Sequence, residues 1–283
     1  PILHTYDDLI ATLDINHYAP DFDLFTFPYD WRKSNVETAV LLKQKIDDVK
    51  AVCGCDKVDL VAHSMGGLST REYSQSQTYA QRFDIRKFIM LGTPNEGAPI
   101  ADKNGFLSVL LGLFGDSFKD QARLDMIPNS PFLNALNSAP NPVGISYGLI
   151  AGNQLPTNWF KKMLICKNQK NYCPPFQPLL VSDSIVPVAS VNHFGQATCF
   201  ETPVTHSTLL GVGYVNHAPT NNAAVSLLQG ETPSLNTCIQ QLVTLEDVHV
   251  EVTTYNMTIN PNQTQTITTF KPNAAFVTAL NSI

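Results

Sequence analysis

Apolar residues recur at helical spacing in two places near the start of the chain. TYDDLIATL (residues 5–13) predicts a short amphipathic helix. Val36, Ala39, Val40, Ile46 and Val49 predict a longer one, opened by Ser34 with Glu37 three residues on, the spacing of a capping box. Compact apolar runs predict strands at 23–28 (DLFTFP), 57–62 (KVDLVA), 85–91 (IRKFIML), 145–151 (ISYGLIA) and around 197–200. A helix from about Met65 to Gln77 fills the interval between the second and third of these. Strand, helix, strand, helix, strand with apolar strands predicts a parallel sheet with right-handed crossovers.

The pattern loosens from Gly97 to about Pro142, where Phe106, Leu110 and Phe114 belong to an apolar segment with no clean polar face. Residues 153–178 read as a loop, and LLVSDSIVPVASV follows with strand character at its start. Past about Gln229 the period changes to two. VHVEVTTYNMTI and QTQTITTF alternate apolar and polar residues, which predicts antiparallel strands with one exposed face. The expected organisation is one domain over 1–228, with a cap at about 98–142, and a short β-rich tail over 229–283 that either packs on it or begins a further module.

Composition changes this picture little. The chain is 43% hydrophobic and 15% charged with net charge -6, a globular balance with no electrostatic bias toward nucleic acid. No apolar run reaches the roughly 18 residues of a transmembrane helix, and the opening residues have no signal-peptide character. A chain that starts on Pro1 is expected to be processed or excised from something longer. The six cysteines permit three bridges, with Cys166 and Cys173 as a natural short-loop pair, but spacing alone does not fix connectivity, and packed free thiols are the alternative reading for some of them. Cys53-Gly-Cys55 lacks zinc-knuckle spacing, so no metal is expected; nor is a cofactor. The cysteines and the low Lys content lean toward an extracellular location.

The sharpest chemical signal is Val58-Asp-Leu-Val-Ala62-His63-Ser64-Met65-Gly66-Gly67. A buried strand that turns abruptly into a helix needs small residues on both sides of a nucleophile held in a strained conformation, and Ala62 and Gly66 are small. Ala62 stands where Gly is usual. Such a turn also aims the Met65 N–H at the place where an oxyanion would form. A serine hydroxyl needs a histidine to take its proton and an acid to orient that histidine. The acid expected is Asp183, at the end of a late strand, and the base is His206, just after the last strand of the sheet. Among the seven histidines His193 is the rival, although it leaves little room for a strand after Asp183. His63 is expected to pack beside the elbow.

Phe27-Pro-Tyr29-Asp30-Trp31-Arg32, the elbow itself, Leu91-Gly-Thr-Pro94-Asn-Glu-Gly97, Ser182-Asp183-Ser-Ile-Val-Pro187 and Thr205-His206-Ser207 together carry a resemblance. Over roughly residues 5–225 the chain resembles the lipase and acyltransferase branch of α/β-hydrolases that includes lecithin:cholesterol acyltransferase and lysosomal phospholipase A2. The resemblance implies an α/β-hydrolase fold, a mostly parallel sheet with helices on both faces and a cap insertion. It also implies attack by Ser64 on an ester carbonyl and an acyl-enzyme. Tyr29, Asp30, Trp31, Phe106, Leu110 and Phe114 are then the expected substrate-binding residues, with Arg32 bracing the strand end through an ion pair. Such relatives carry a second oxyanion donor in a loop just before the first helix seen here, and nothing before Thr5 resembles it.

Three functions stay open on sequence. The first is an esterase or lipase acting on an ester or lipid, with transient contact at a lipid interface. The second is an acyltransferase or phospholipase with the same triad. The third is a catalytically silent domain of a larger surface protein.

Overall fold

The computed structural model describes residues 6–98, 101, 121–154, 182–183, 185–206, 208–210, 218–238, 250–260 and 263–272. The chain divides into two compact units, Pro1–Pro175 with Val181–Gln240, and Phe176–Leu180 with Gln241–Ile283.

In the first unit, α1 (Asp7–Ile15) and α2 (Asn35–Cys53) precede β1 (Val58–His63), and α3 (Met65–Ser74) leads on to β2 (Ile85–Leu91). Then follow α4 (Gln121–Asp125), α5 (Pro131–Ser138), β3 (Ser146–Gly152), α6 (Val188–Asn192), β4 (Cys199–Thr202), α7 (Ala218–Gln229) and β5 (Asn236–Thr237). The strands lie in the order β1-β2-β3-β4-β5, with the first four parallel and β5 antiparallel on the edge. The change of hydropathy period lies near residue 229, yet β5 follows it and completes this sheet.

Alternation along β2 shows how the sheet is covered. Phe88 and Met90 pack in a core with Ala39, Leu42 and Ile46 of α2 and Val188 and Val191 of α6. Ile89 and Leu91, on the opposite face, pack with Leu9 and Leu13 of α1 and Ala223, Ala224 and Val225 of α7. A strand buried on both faces has no polar side to show, so it reads as the continuous run IRKFIML rather than as an alternation. Helices therefore cover both faces.

Local chemistry sets the element ends. The Ser34 hydroxyl accepts the Glu37 N–H at 3.1 Å, and Gly54 closes α2 in the left-handed conformation at φ 62°. α3 stops at Ser74 rather than near Gln77, as the Ser74 and Ser76 hydroxyls donate back to the Arg71 and Tyr73 carbonyls. The strand expected at 23–28 does not form. Pro20 and Pro28 supply no N–H to a ladder, and Asp23 takes the Ala19 N–H at 2.5 Å to make a turn, leaving one isolated bridge between Pro20 and Leu24.

Buried polar contacts tie the segment after β2 to the rest. Arg71 donates to Asn95 Oδ1 at 3.1 Å and to the Leu136 carbonyl at 3.3 Å, and its guanidinium lies 5.0 Å from the Phe194 ring. Burial lowers its pKa to about 10. Asp125 Oδ2 accepts both the backbone N–H and the side-chain amide of Asn35 at 3.0 Å, capping the positive end of α2 with a buried carboxylate. Asp125→Ala would leave two buried donors unpaired. We expect it to lower unfolding stability by about 2–4 kcal/mol, read as a lower urea midpoint.

Two disulfides are present among the described residues, Cys53–Cys55 and Cys199–Cys238. The second joins β4 to the residue after β5, where the Cys238 N–H also donates to the Cys199 carbonyl at 2.7 Å. Cys166 and Cys173 lie outside the described residues. In the second unit, Val250–Asn260 pairs antiparallel with Gln263–Pro272, the two segments whose period predicts strands.

Candidate active site

Ser64 sits between the last residue of β1 and the first of α3, at φ 52° and ψ -129°. A non-glycine residue with positive φ at a strand-to-helix turn is strained, and the surroundings hold it there. Its N–H donates to the Leu91 carbonyl of β2 at 2.8 Å. The Met65 N–H, first in the helix, donates to no partner among the described residues, which leaves it available beside the Ser64 hydroxyl.

Asp183 and His206 arrive from two loops beyond the same end of the sheet. Asp183 is fully buried, and its Oδ1 accepts the N–H groups of Ile185 at 3.0 Å and Val186 at 2.7 Å. Its backbone carbonyl accepts the His206 N–H at 2.7 Å, so one residue holds the histidine by main chain and side chain together. Oδ2 lies 2.6 Å from His206 Nδ1, and His206 Nε2 lies 2.8 Å from Ser64 Oγ. An ionised carboxylate only accepts, so Nδ1 carries the ring proton of the neutral imidazole and Nε2 presents a lone pair to the Ser64 hydroxyl. A serine whose proton faces that lone pair can lose it as the oxygen attacks.

Glycines make room for this arrangement. A Cβ on Gly67 would lie 2.0 Å from Thr93 Oγ1, so α3 approaches the exit of β2 only with hydrogen at this position. Gly92, at φ 59°, lies under the acid and base: a Cβ there would come 2.9 Å from Leu209 Cδ2 and 3.3 Å from both Asp183 Oδ2 and His206 Nδ1. The Leu91–Gly97 stretch is visible in the sequence as a motif, but the purpose of Gly92 is tertiary and has no local signal beyond a glycine that ends a strand. Gly92→Ala is expected to cost about 1–2 kcal/mol in backbone strain. Its displacement of the Asp183–His206 pair should lower ester turnover on the order of a hundredfold, measured alongside thermal unfolding.

The other expected residues fall in different places. His193 is paired with Glu96 at 3.6 Å on the surface, and Asp183 gives its carboxylate to His206 instead. The Tyr29 ring stacks on Phe27 at 5.5 Å, and its hydroxyl lies 3.4 Å from where a Cβ on Gly66 would stand, next to the elbow. Burial pushes the Tyr29 phenol up. Asp30 is committed to Arg32 through two 2.8 Å contacts, and that hydrogen bonding lowers its pKa to about 2. Arg32 therefore braces the turn, while the Trp31 side chain is partly exposed beside them. Phe106, Leu110 and Phe114 lie outside the described residues. His63 does pack beside the elbow, with its ring centroid 4.7 Å from that of His206.

Residues 2–105 match the lecithin:cholesterol acyltransferase family. Phospholipase A(1) LCAT3 of Arabidopsis thaliana is 32% identical over 99 residues, a stretch that is 34% of this chain and 22% of that relative. Phospholipase PlaB from Legionella pneumophila superposes with TM-score 0.58 at 16% identity, covering 93% of this chain and 65% of the other. The mature Bacillus licheniformis lipase BlEst2 superposes with TM-score 0.50 at 18% identity, covering 71% and 75%. At such identities the solved structures speak for the fold. The chain has the α/β-hydrolase fold, and over residues 2–105 it carries the sequence pattern of the lecithin:cholesterol acyltransferase family.

Proposed function

We propose that the chain hydrolyses carboxylic esters, lipid esters among them, with Ser64 as nucleophile, His206 as general base and Asp183 as the orienting acid. The observation that carries this reading is the unbroken contact from Asp183 Oδ2 through His206 to Ser64 Oγ, at 2.6 and 2.8 Å, on a strained strand-to-helix turn. Ser64 Oγ attacks the carbonyl carbon as its proton passes to His206 Nε2. The Met65 N–H faces the negative charge that gathers on the carbonyl oxygen. His206 then gives that proton to the departing alkoxide as its bond to the carbonyl carbon breaks, so the alcohol leaves and the acyl group stays on Ser64 Oγ. Water, deprotonated by the same nitrogen, releases the acid and restores the serine.

The lipid part of the proposal rests on likeness to a family of acyltransferases and to a phospholipase A(1). The disulfides fit an oxidising, extracellular compartment. The same family match favours, as a second reading, transfer of the acyl group to an alcohol in place of water. Turnover of p-nitrophenyl esters of increasing chain length, followed by phospholipid vesicles with and without a long-chain alcohol, tests both. Free fatty acid as the product supports hydrolysis, and a new ester in its place supports transfer. Folded protein that turns over neither substrate and takes no fluorophosphonate label would sink the enzymatic reading in favour of a silent domain.

A further inference from the structure

We propose that His63 is a positioning residue for His206, a flat wall that fixes the plane of the general base. The inference rests on the assignment of His206 as that base. His206 stands on a loop, outside helix and strand, and its ring is held in the described contacts by one carboxylate at Nδ1 and one hydroxyl at Nε2. Both contacts lie in the plane of the ring and resist its tilting out of that plane only weakly. The His63 ring lies against that freedom, 4.7 Å away between centroids and inclined by 37°.

The wall is itself rigid. His63 is the last residue of β1, in register with Leu91 of β2, and Tyr6 closes on its ring edge-on at 6.3 Å. The next residue is Ser64, so the same strand end sets both the nucleophile and the surface against which its base is aligned. One polar contact accompanies the stacking, a hydrogen bond between His63 and the His206 backbone. Among the described residues His63 Nε2 is buried without a hydrogen-bond partner, an arrangement that costs stability rather than adding to it. Burial, and then the neighbouring His206, hold the His63 pKa well below its usual range, so the wall stays neutral while His206 takes up a proton. A neutral aromatic face beside an imidazolium also avoids the repulsion that a second cation would bring.

The test compares kcat and KM for a p-nitrophenyl ester in wild type, His63→Ala, His63→Phe and His206→Ala, with circular dichroism to establish folding. His63→Ala should lower kcat on the order of tenfold to a hundredfold, as misalignment of a reacting group does, and leave KM near its wild-type value. His63→Phe keeps the flat face but gives up the hydrogen bond to the His206 backbone along with the unpaired nitrogen, so kcat should recover most of the way to wild type. If His63→Ala does not fold, His63→Leu, which fills volume without a flat face, takes its place with the same expectation. Wild-type kcat in His63→Ala, or equal losses in the Ala and Phe variants, would overturn the inference. A His206→Ala variant that turns over ester normally would overturn the base assignment itself, whereas a slow His206→Ala beside a normal His63→Ala overturns only the positioning role.

Discussion

Ser64→Ala should lower ester turnover on the order of 10^6-fold and abolish fluorophosphonate labelling, with no loss of folded protein. Among the described residues the Ser64 hydroxyl bonds only to His206 Nε2, so deleting it removes the attacking atom and unties nothing that holds the sheet or the elbow. Polar stabilisation of the carbonyl oxygen and substrate binding would survive, which is why residual turnover above the uncatalysed rate is expected. Labelling is the decisive half of the measurement. A phosphonate adduct on another serine, or wild-type turnover in the variant, would remove Ser64 from the reaction.

Asp183→Asn should cost on the order of 10^4-fold in turnover while changing the fold little. Oδ1 of the carboxylate accepts the Ile185 and Val186 N–H groups, and an asparagine oxygen can do the same. The asparagine NH2 then occupies the place of Oδ2 and points its hydrogens at His206 Nδ1, 2.6 Å away in the native protein. To accept that hydrogen bond, His206 must shed its Nδ1 proton and carry it on Nε2. The nitrogen that faces Ser64 Oγ becomes a donor and cannot take the serine proton. The loss should therefore appear in kcat, with circular dichroism and thermal unfolding close to those of the wild type. If Asp183→Asn kept full turnover, the acid would have to lie elsewhere.

Elements whose burial is decided locally were readable from sequence. β2 occupies 85–91, the limits of its apolar run, and α2 begins at the Ser34 cap and ends at Gly54, where the backbone needs a positive φ. The elbow was readable because the small residues it demands are neighbours in the chain. The region 23–28 was not: its aromatic residues mark burial correctly for Phe27, but whether a buried segment joins a ladder depends on N–H groups that prolines withhold. Disulfide pairing was equally hidden, since Cys199 and Cys238 meet only because β5 returns antiparallel to β4. For the proposed base, chain order favoured His206 over His193; the His206 N–H donates to the Asp183 carbonyl, while His193 lies beside Glu96. Gly92 and the proposed His63 face act across space on Asp183 and His206, far along the chain, and no local pattern could assign them a purpose.

The candidate triad is spread over the chain unevenly: 142 positions separate the hydroxyl from the nitrogen it faces, and the acid lies 23 positions before the base. The family match spans residues 2–105, which hold the proposed nucleophile and neither proposed partner. The matched stretch and the proposed chemistry therefore overlap only at Ser64 and its elbow. A relative that lost its acid or base loop to drift would keep the matched stretch unchanged and fall silent all the same.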